Sequence, residues 1–187
     1  MQTEKNQNIE TKVITGMVRF SYLHVFEPYA MDDSQEKKYS VSLIIPKTDK
    51  DTLKRIKRAV EAATELAKAK SGGKLPAKFK LPLNDGDIER SEDDAYEGSY
   101  YLNANCKTKP GVVDKNLNPI IEPDELYSGC YGRASISFYP FDTSGNRGIA
   151  CGLNNIQKLK DGEPLGGRAS AEDDFAEPMD LEDEDIL

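Results

Sequence analysis

The chain has 187 residues, 37% hydrophobic and 31% charged, with a formal net charge of -8. That is enough for one domain with appendages and a single proper core. No apolar run approaches the ~18 residues of a membrane-spanning helix, and the opening "MQTEKNQNIETK" has no apolar centre, so a secretory signal is not expected. The charge is unevenly placed. Residues 170–187, "SAEDDFAEPMDLEDEDIL", hold nine Asp and Glu and no Lys or Arg, which leaves 24 of the 33 acids against all 25 bases in residues 1–169. A slightly basic body thus carries a strongly acidic end, which repels itself and has too little apolar surface to offset the entropy of ordering. It reads as a solvated tail able to sit on a basic surface of its own body.

In chain order, "VITGMVRFSYLHVF" (13–26) is β-branched and aromatic and reads as one long strand bending at Gly16. His24, the only histidine, falls inside this apolar pattern, where it reads as a core or rim residue rather than a catalytic base. "KYSVSLIIPK" alternates, with Tyr39, Val41, Leu43 and Ile45 on one face and Ser40 and Ser42 on the other. From Asp49 to Lys70 the period becomes helical, with Leu53, Ile56, Val60, Ala63 and Ala67 as the apolar stripe and Lys54, Arg55, Lys57 and Arg58 off it. "SGGKLPAKFKLPLNDGD" is a Gly- and Pro-marked loop, and "DGDIERSEDD" a solvated acidic one whose spacing fails the calcium-loop pattern.

"GSYYLNANCK" alternates again. Tyr100, Leu102, Ala104 and Cys106 face one way; Tyr101, Asn103, Asn105 and Lys107 face the other. After the turn-rich "TKPGVVDKNLNPIIEPDEL", the strand "YSGCYGRASISFYPFD" puts Ala134, Ile136 and Phe138 on one side and Tyr131, Arg133 and Tyr139 on the other. "TSGNRG" is a hairpin turn into the last strand, "IACGLNNIQ". Cys106, Cys130 and Cys151 are odd in number and lack C-x-x-C spacing, so they read as small strand residues of a reducing, cytoplasmic-type protein. The expected fold is mostly β: a five-stranded antiparallel barrel with one long helix after the second strand.

Two strand faces carry a mixture that an ordinary solvent face would not. Tyr101, Asn103, Asn105 and Lys107 form one row and Tyr131, Arg133 and Tyr139 another, offering aromatic planes, amides and cations with no acid among them. Single-stranded nucleic acid needs this combination, because bases stack on aromatic rings and phosphates meet Lys and Arg. Lys109, Arg147 and Lys158 join these rows as candidate DNA-binding cations. No Ser–His or Cys–His pair avoids His24, and no G-x-x-x-x-G-K-[ST] loop occurs, so the expectation is a binding protein without catalytic residue, cofactor or metal.

"GVVDKNLNPI", "LYSGCYGRASISFYPFD" and "GNRGIACGLNNIQKLKDGEPLGGR", with the acidic end, resemble the single-stranded DNA-binding proteins of tailed bacteriophages. The resemblance runs through residues 12–168 and is densest from Gly111 to Arg168. It implies an oligonucleotide/oligosaccharide-binding (OB) barrel over residues 1–168, DNA binding in phage replication and recombination, and a disordered acidic tail over 169–187. It further implies that the tail occupies the DNA groove when DNA is absent and contacts phage or host replication proteins such as a polymerase, helicase or primase. Within it, Phe175, Asp180, Glu182, Asp183, Glu184, Asp185, Ile186 and Leu187 are the candidate partner-binding residues, the carboxylates standing in for phosphates. A homodimer is compatible with this reading, as are three alternatives: a strand-annealing mediator, an RNA-binding barrel, and a nuclease using the acids around Asp85 to Asp94.

Overall fold

The computed structural model describes residues 10–165 and 171–179. Its strands are β1 (Lys12–Ile14), β2 (Val18–Tyr29), β3 (Lys38–Pro46), β4 (Asn84–Asp85), β5 (Ser99–Cys106), β6 (Gly111–Val113), β7 (Tyr131–Thr143) and β8 (Asn146–Lys160). One long helix, α1 (Lys50–Lys70), follows β3, with one-turn helices α2 (Gly86–Glu89) and α3 (Ala171–Asp174). The strands form one sheet in the order β1-β7-β2-β3-β5-β8-β6, and the additional β7–β8 pairing closes β2, β3, β5, β8 and β7 into a ring.

The alternation read from the sequence sets the inside of this ring. Val41 pairs with Ala104 and Leu43 with Leu102, so both strands turn their apolar rows inward together. Phe20, Ile45, Ile136, Phe138, Cys151 and Leu153 complete the interior. Helix α1 contributes Leu53, Ile56, Ala59, Ala63 and Ala67 to the same core and packs on β7, β1 and β8. Asp49 caps it by accepting from the Thr52 backbone N–H at 3.2 Å.

Three expectations are corrected. The first strand is two strands, because Gly16 leaves the sheet and donates its N–H to Thr52 Oγ1 of α1 at 2.9 Å. A Cβ there would lie 2.9 Å from both Asp49 Oδ2 and Thr52 Oγ1, so the close approach of loop and helix needs glycine. The sheet has more than five strands and is not wholly antiparallel: β5 joins β8 in parallel through Asn105↔Gly152, and β6, inside the stretch read as turn-rich, lies parallel to β8. The β7–β8 hairpin turn falls where expected, at Ser144 (φ 51) and Gly145 (φ 83). The 168/169 domain boundary lies outside the described residues.

Candidate nucleic-acid interface

The outer face of β2, β3 and β5 is built by register. Ser42 pairs with Asn103 and Ser40 with Asn105 across β3 and β5, and Ser40 pairs with His24 across β3 and β2. A break in the β2–β3 register between Ser21 and His24, with Tyr22 at φ 45, turns the Tyr22 ring out of the pleat, where it is 53% exposed. His24 and Tyr29 stack in parallel, 4.2 Å between centroids and 7° between planes. These side chains, with Met31, Lys38 and Arg90, line an open groove of about 680 Å³. The connection between β2 and β3 borders it and is tied to the end of β5 by Lys107 Nζ, 3.5 Å from Glu36 Oε2.

The β5 row needs one correction. Asn103 and Lys107 are exposed and Asn105 is half-buried, but Tyr101, expected as an exposed stacking plane, is 7% exposed. It packs edge-on against Tyr96, centroids 5.0 Å apart, in a small satellite cluster with Ile44, Ala95 and Leu165. The acidic loop read as solvated folds back over that end of the face. Its Arg90 guanidinium lies 5.5–5.6 Å from the ring centroids of Tyr22, Tyr96 and Tyr101. Beside the groove, a second hollow of about 770 Å³ is lined by Arg19, Tyr22 and Arg90 but also by Glu89, Glu92, Asp93, Asp94 and Glu163.

The β7–β8 candidates do not join this groove. Tyr131, at the start of β7, meets β2 through Arg19, which lies 5.3 Å from its ring centroid, with Lys160 at 4.8 Å. Arg133 donates twice to Gln157 Oε1, at 2.9 and 2.6 Å. Tyr139 is 45% exposed and its ring lies beside Gly152, where an added Cβ would come to 3.3 Å. Arg147 pairs with Asp142 at 2.9 Å. Lys158 is already engaged: its side chain is 17% exposed, lies 2.6 Å from Asp161 and donates to the Glu125 carbonyl. Lys109 is exposed between β5 and β6. Of the tail candidates, Phe175 is 80% exposed just after α3; Asp180, Glu182, Asp183, Glu184, Asp185, Ile186 and Leu187 lie outside the described residues.

Tyr22, Tyr29, Lys38 and Arg90 lie outside the two rows legible in the sequence, which marks His24 as a core or rim residue and not as part of a binding face. A signal existed in "SYLHVF", where Tyr22 and His24 alternate, but the bulge that exposes Tyr22 has no sequence mark. Arg90 was hidden by its acidic neighbours.

A closed ring with an open face of rings, amides and cations on its first three long strands is the architecture of an OB-type oligonucleotide-binding protein. The chain belongs to the family described as Enterobacter phage Enc34 ssDNA-binding protein, whose family model matches residues 11–187. It is 30% identical, over 187 aligned residues covering 94% of this chain and 98% of the relative, to protein p50 of Acyrthosiphon pisum secondary endosymbiont phage 1. Its fold matches the single-stranded DNA-binding protein of bacteriophage Enc34, solved in complex with ssDNA, at a TM-score of 0.70 and 29% identity, covering 83% of this chain and 90% of that one. It also matches gp2.5, a single-stranded DNA-binding protein of bacteriophage T7, at a TM-score of 0.60 and 16% identity over 91% and 96% of the two chains, a likeness of fold alone.

Proposed function

We propose that this chain binds single-stranded DNA without sequence preference and without chemistry, laying the strand along the outer face of β2, β3 and β5. The observation that carries this reading is the groove itself. Tyr22 and the His24–Tyr29 stack supply ring faces, Asn103 and Asn105 supply amides, and Arg90 and Lys38 supply cations, with Lys107 beside them on Glu36. Stacking accepts any base because every base has a π-face. Tyr131 with Arg19 and Lys160 extends the track past β2, and Lys109 extends it past β5. Arg133, Tyr139, Arg147 and Lys158, on β7 and β8 and partly committed to internal partners, contribute less.

The protein acts in phage replication and recombination inside the host cell, with residues 1–168 as the binding domain. The acidic segment over 169–187 opposes DNA binding and recruits phage or host replication proteins. Membership of an ssDNA-binding family and the charge asymmetry support these statements.

Anisotropy titrations of labelled oligomers test the reading. Single strands of different sequence should bind alike and more tightly than duplex or matched RNA. Tyr22→Ala and Tyr29→Ala should each weaken binding by about 1–3 kcal/mol. Equal or tighter binding to duplex would overturn it.

A further inference from the structure

Arg90 stands in "DGDIERSEDD", surrounded in sequence by carboxylates. Glu89, Glu92, Asp93 and Asp94 share a hollow with it, yet among the described residues it forms no ion pair. Its guanidinium is turned instead to the rings of Tyr22, Tyr96 and Tyr101, where it borders the groove. A cation that passes over several nearby acids is being held by its backbone.

The hold lies outside the groove. Lys47, just past β3, brings Nζ to 2.8 Å from Asp85 Oδ1 and 2.7 Å from Asp87 Oδ2, and its backbone N–H donates to the Gly98 carbonyl at 3.0 Å. The Gly98 N–H donates in turn to Asp87 Oδ1 at 2.9 Å. Both ends of the 85–98 loop are thereby tied to one residue of the sheet. Asp85 accepts from the Asp87 N–H at 3.0 Å to start α2, and the Arg90 N–H closes that turn on the Gly86 carbonyl at 3.0 Å. Beneath the loop, a Cβ added at Gly86 would collide with the backbone oxygens of Tyr96 and Ser99, and the Tyr96 hydroxyl donates to Ser42 Oγ at 3.1 Å. Hydrogen bonds to Asp85 and Asp87 hold the Lys47 ammonium above its ordinary range, and the one from Lys47 holds the Asp87 carboxyl below its own. None of Lys47, Asp85 and Asp87 lines the groove.

We infer that Lys47 and Asp87 are positioning residues for DNA binding: their ion pair braces the loop that presents Arg90 to the strand beside the exposed Tyr22 ring. They act through Arg90 and not on the strand. An arginine fixed before DNA arrives gives up less side-chain freedom on meeting a phosphate than one on a loose loop, and its planar fork suits the phosphate oxygens. The brace thus turns an acidic stretch, which alone would repel DNA, into part of the DNA-binding face. This deepens the reading of the groove given above and rests on it.

Anisotropy titrations of labelled oligothymidine across a salt series, on full-length variants, test the assignment. Asp87→Asn keeps an oxygen for the Gly98 N–H, loses the pairing with Lys47 and removes a negative charge. Charge alone would make it bind DNA more tightly; loss of the brace makes it bind several-fold more weakly. Arg90→Gln should show the full effect, about tenfold, the weight of one hydrogen bond to a charged group, with the salt slope reduced by roughly 0.7 for one phosphate contact on a single strand. In the R90Q background D87N should cause no further loss. K47Q should bind weakly where Arg90 is present, and K47R, which keeps the pairing, should bind like wild type. This second pair carries the comparison if D87N melts early. Unchanged or tighter binding by D87N overturns the inference, as does a further loss from D87N or K47Q in the R90Q background. Those results leave the groove reading standing, whereas a wild type that binds duplex as tightly as single strands overturns both.

Discussion

Tyr22 and Tyr101 carry the same ring in opposite situations, and substitution should separate them. Tyr22 stands out of a bulge in β2 and is half exposed, so Tyr22→Ala should lower ssDNA affinity while leaving the melting temperature nearly unchanged. Tyr101 is buried against Tyr96 and Arg90. Truncating a buried aromatic costs about 3–5 kcal/mol, so Tyr101→Ala should lower the melting temperature first, and any loss of DNA binding should follow from unfolding. Paired melting and anisotropy curves check both. A Tyr101→Ala protein that melts like wild type but fails to bind would return that ring to the DNA surface. His24 adds a pH dependence. Partial burial lowers its pKa from the ordinary 6.5, so the unfolded chain takes up the proton first as pH falls. Folded stability should therefore be full above about 6.5, decline as pH drops through that value and level off below the folded pKa. Denaturant midpoints of wild type and His24→Asn across this range should differ in slope.

At the scale of elements, the ring depends on close passage between strands. Gly132 of β7 pairs with Val18 of β2, and a Cβ there would fall 2.0 Å from the Gln157 carbonyl oxygen and 2.9 Å from the Phe20 ring. Both neighbours belong to the sheet or the core and cannot swing away. Gly132→Ala should therefore cost at least the ~1–3 kcal/mol typical of overpacking, measured as a lower denaturant midpoint, whereas ordinary stability would mean the β2–β7 junction is looser than described. Helix α1 packs by its apolar stripe. Ile56, fully buried, should cost about 2–5 kcal/mol on truncation to Ala. Lys54→Gln and Arg58→Gln on the outer face should leave the melting temperature within about a degree, since exposed unpaired charges contribute little.

For the whole molecule the governing quantity is charge distribution. Deleting residues 170–187 removes nine acids and changes the formal net charge from -8 to +1. A tethered segment acts at an effective concentration on the order of millimolar, so its effect on DNA binding does not need high intrinsic affinity. The truncated protein should bind ssDNA more tightly at low salt, and the gap should close as the Debye length shrinks from about 30 Å at 0.01 M to about 10 Å at 0.1 M. Association with replication proteins should be lost in the same truncation. Equal low-salt affinity of the two proteins, with partners retained, would reduce the acidic end to a solubility device.

The strand alternation, the helical period from Asp49 to Lys70, the β7–β8 turn and the charge asymmetry were legible in the amino-acid order, because each is a local pattern with a period or a turn chemistry of its own. So were the β5 amides at Asn103 and Asn105, which a period of two places on the outer face whatever lies around them. What alternation could not convey is which outer face stays open. Tyr101 and Asn103 sit two residues apart on the same row, yet a loop returning from residues 86–98 covers one and leaves the other. Tyr22 is exposed by a bulge in β2 that arises from its pairing with β3, a contact across some twenty residues of chain. Strand register and loop return are non-local, so they separated the two rows that looked like one surface and brought Arg90 to the groove from an acidic stretch. The tertiary structure alone decided that.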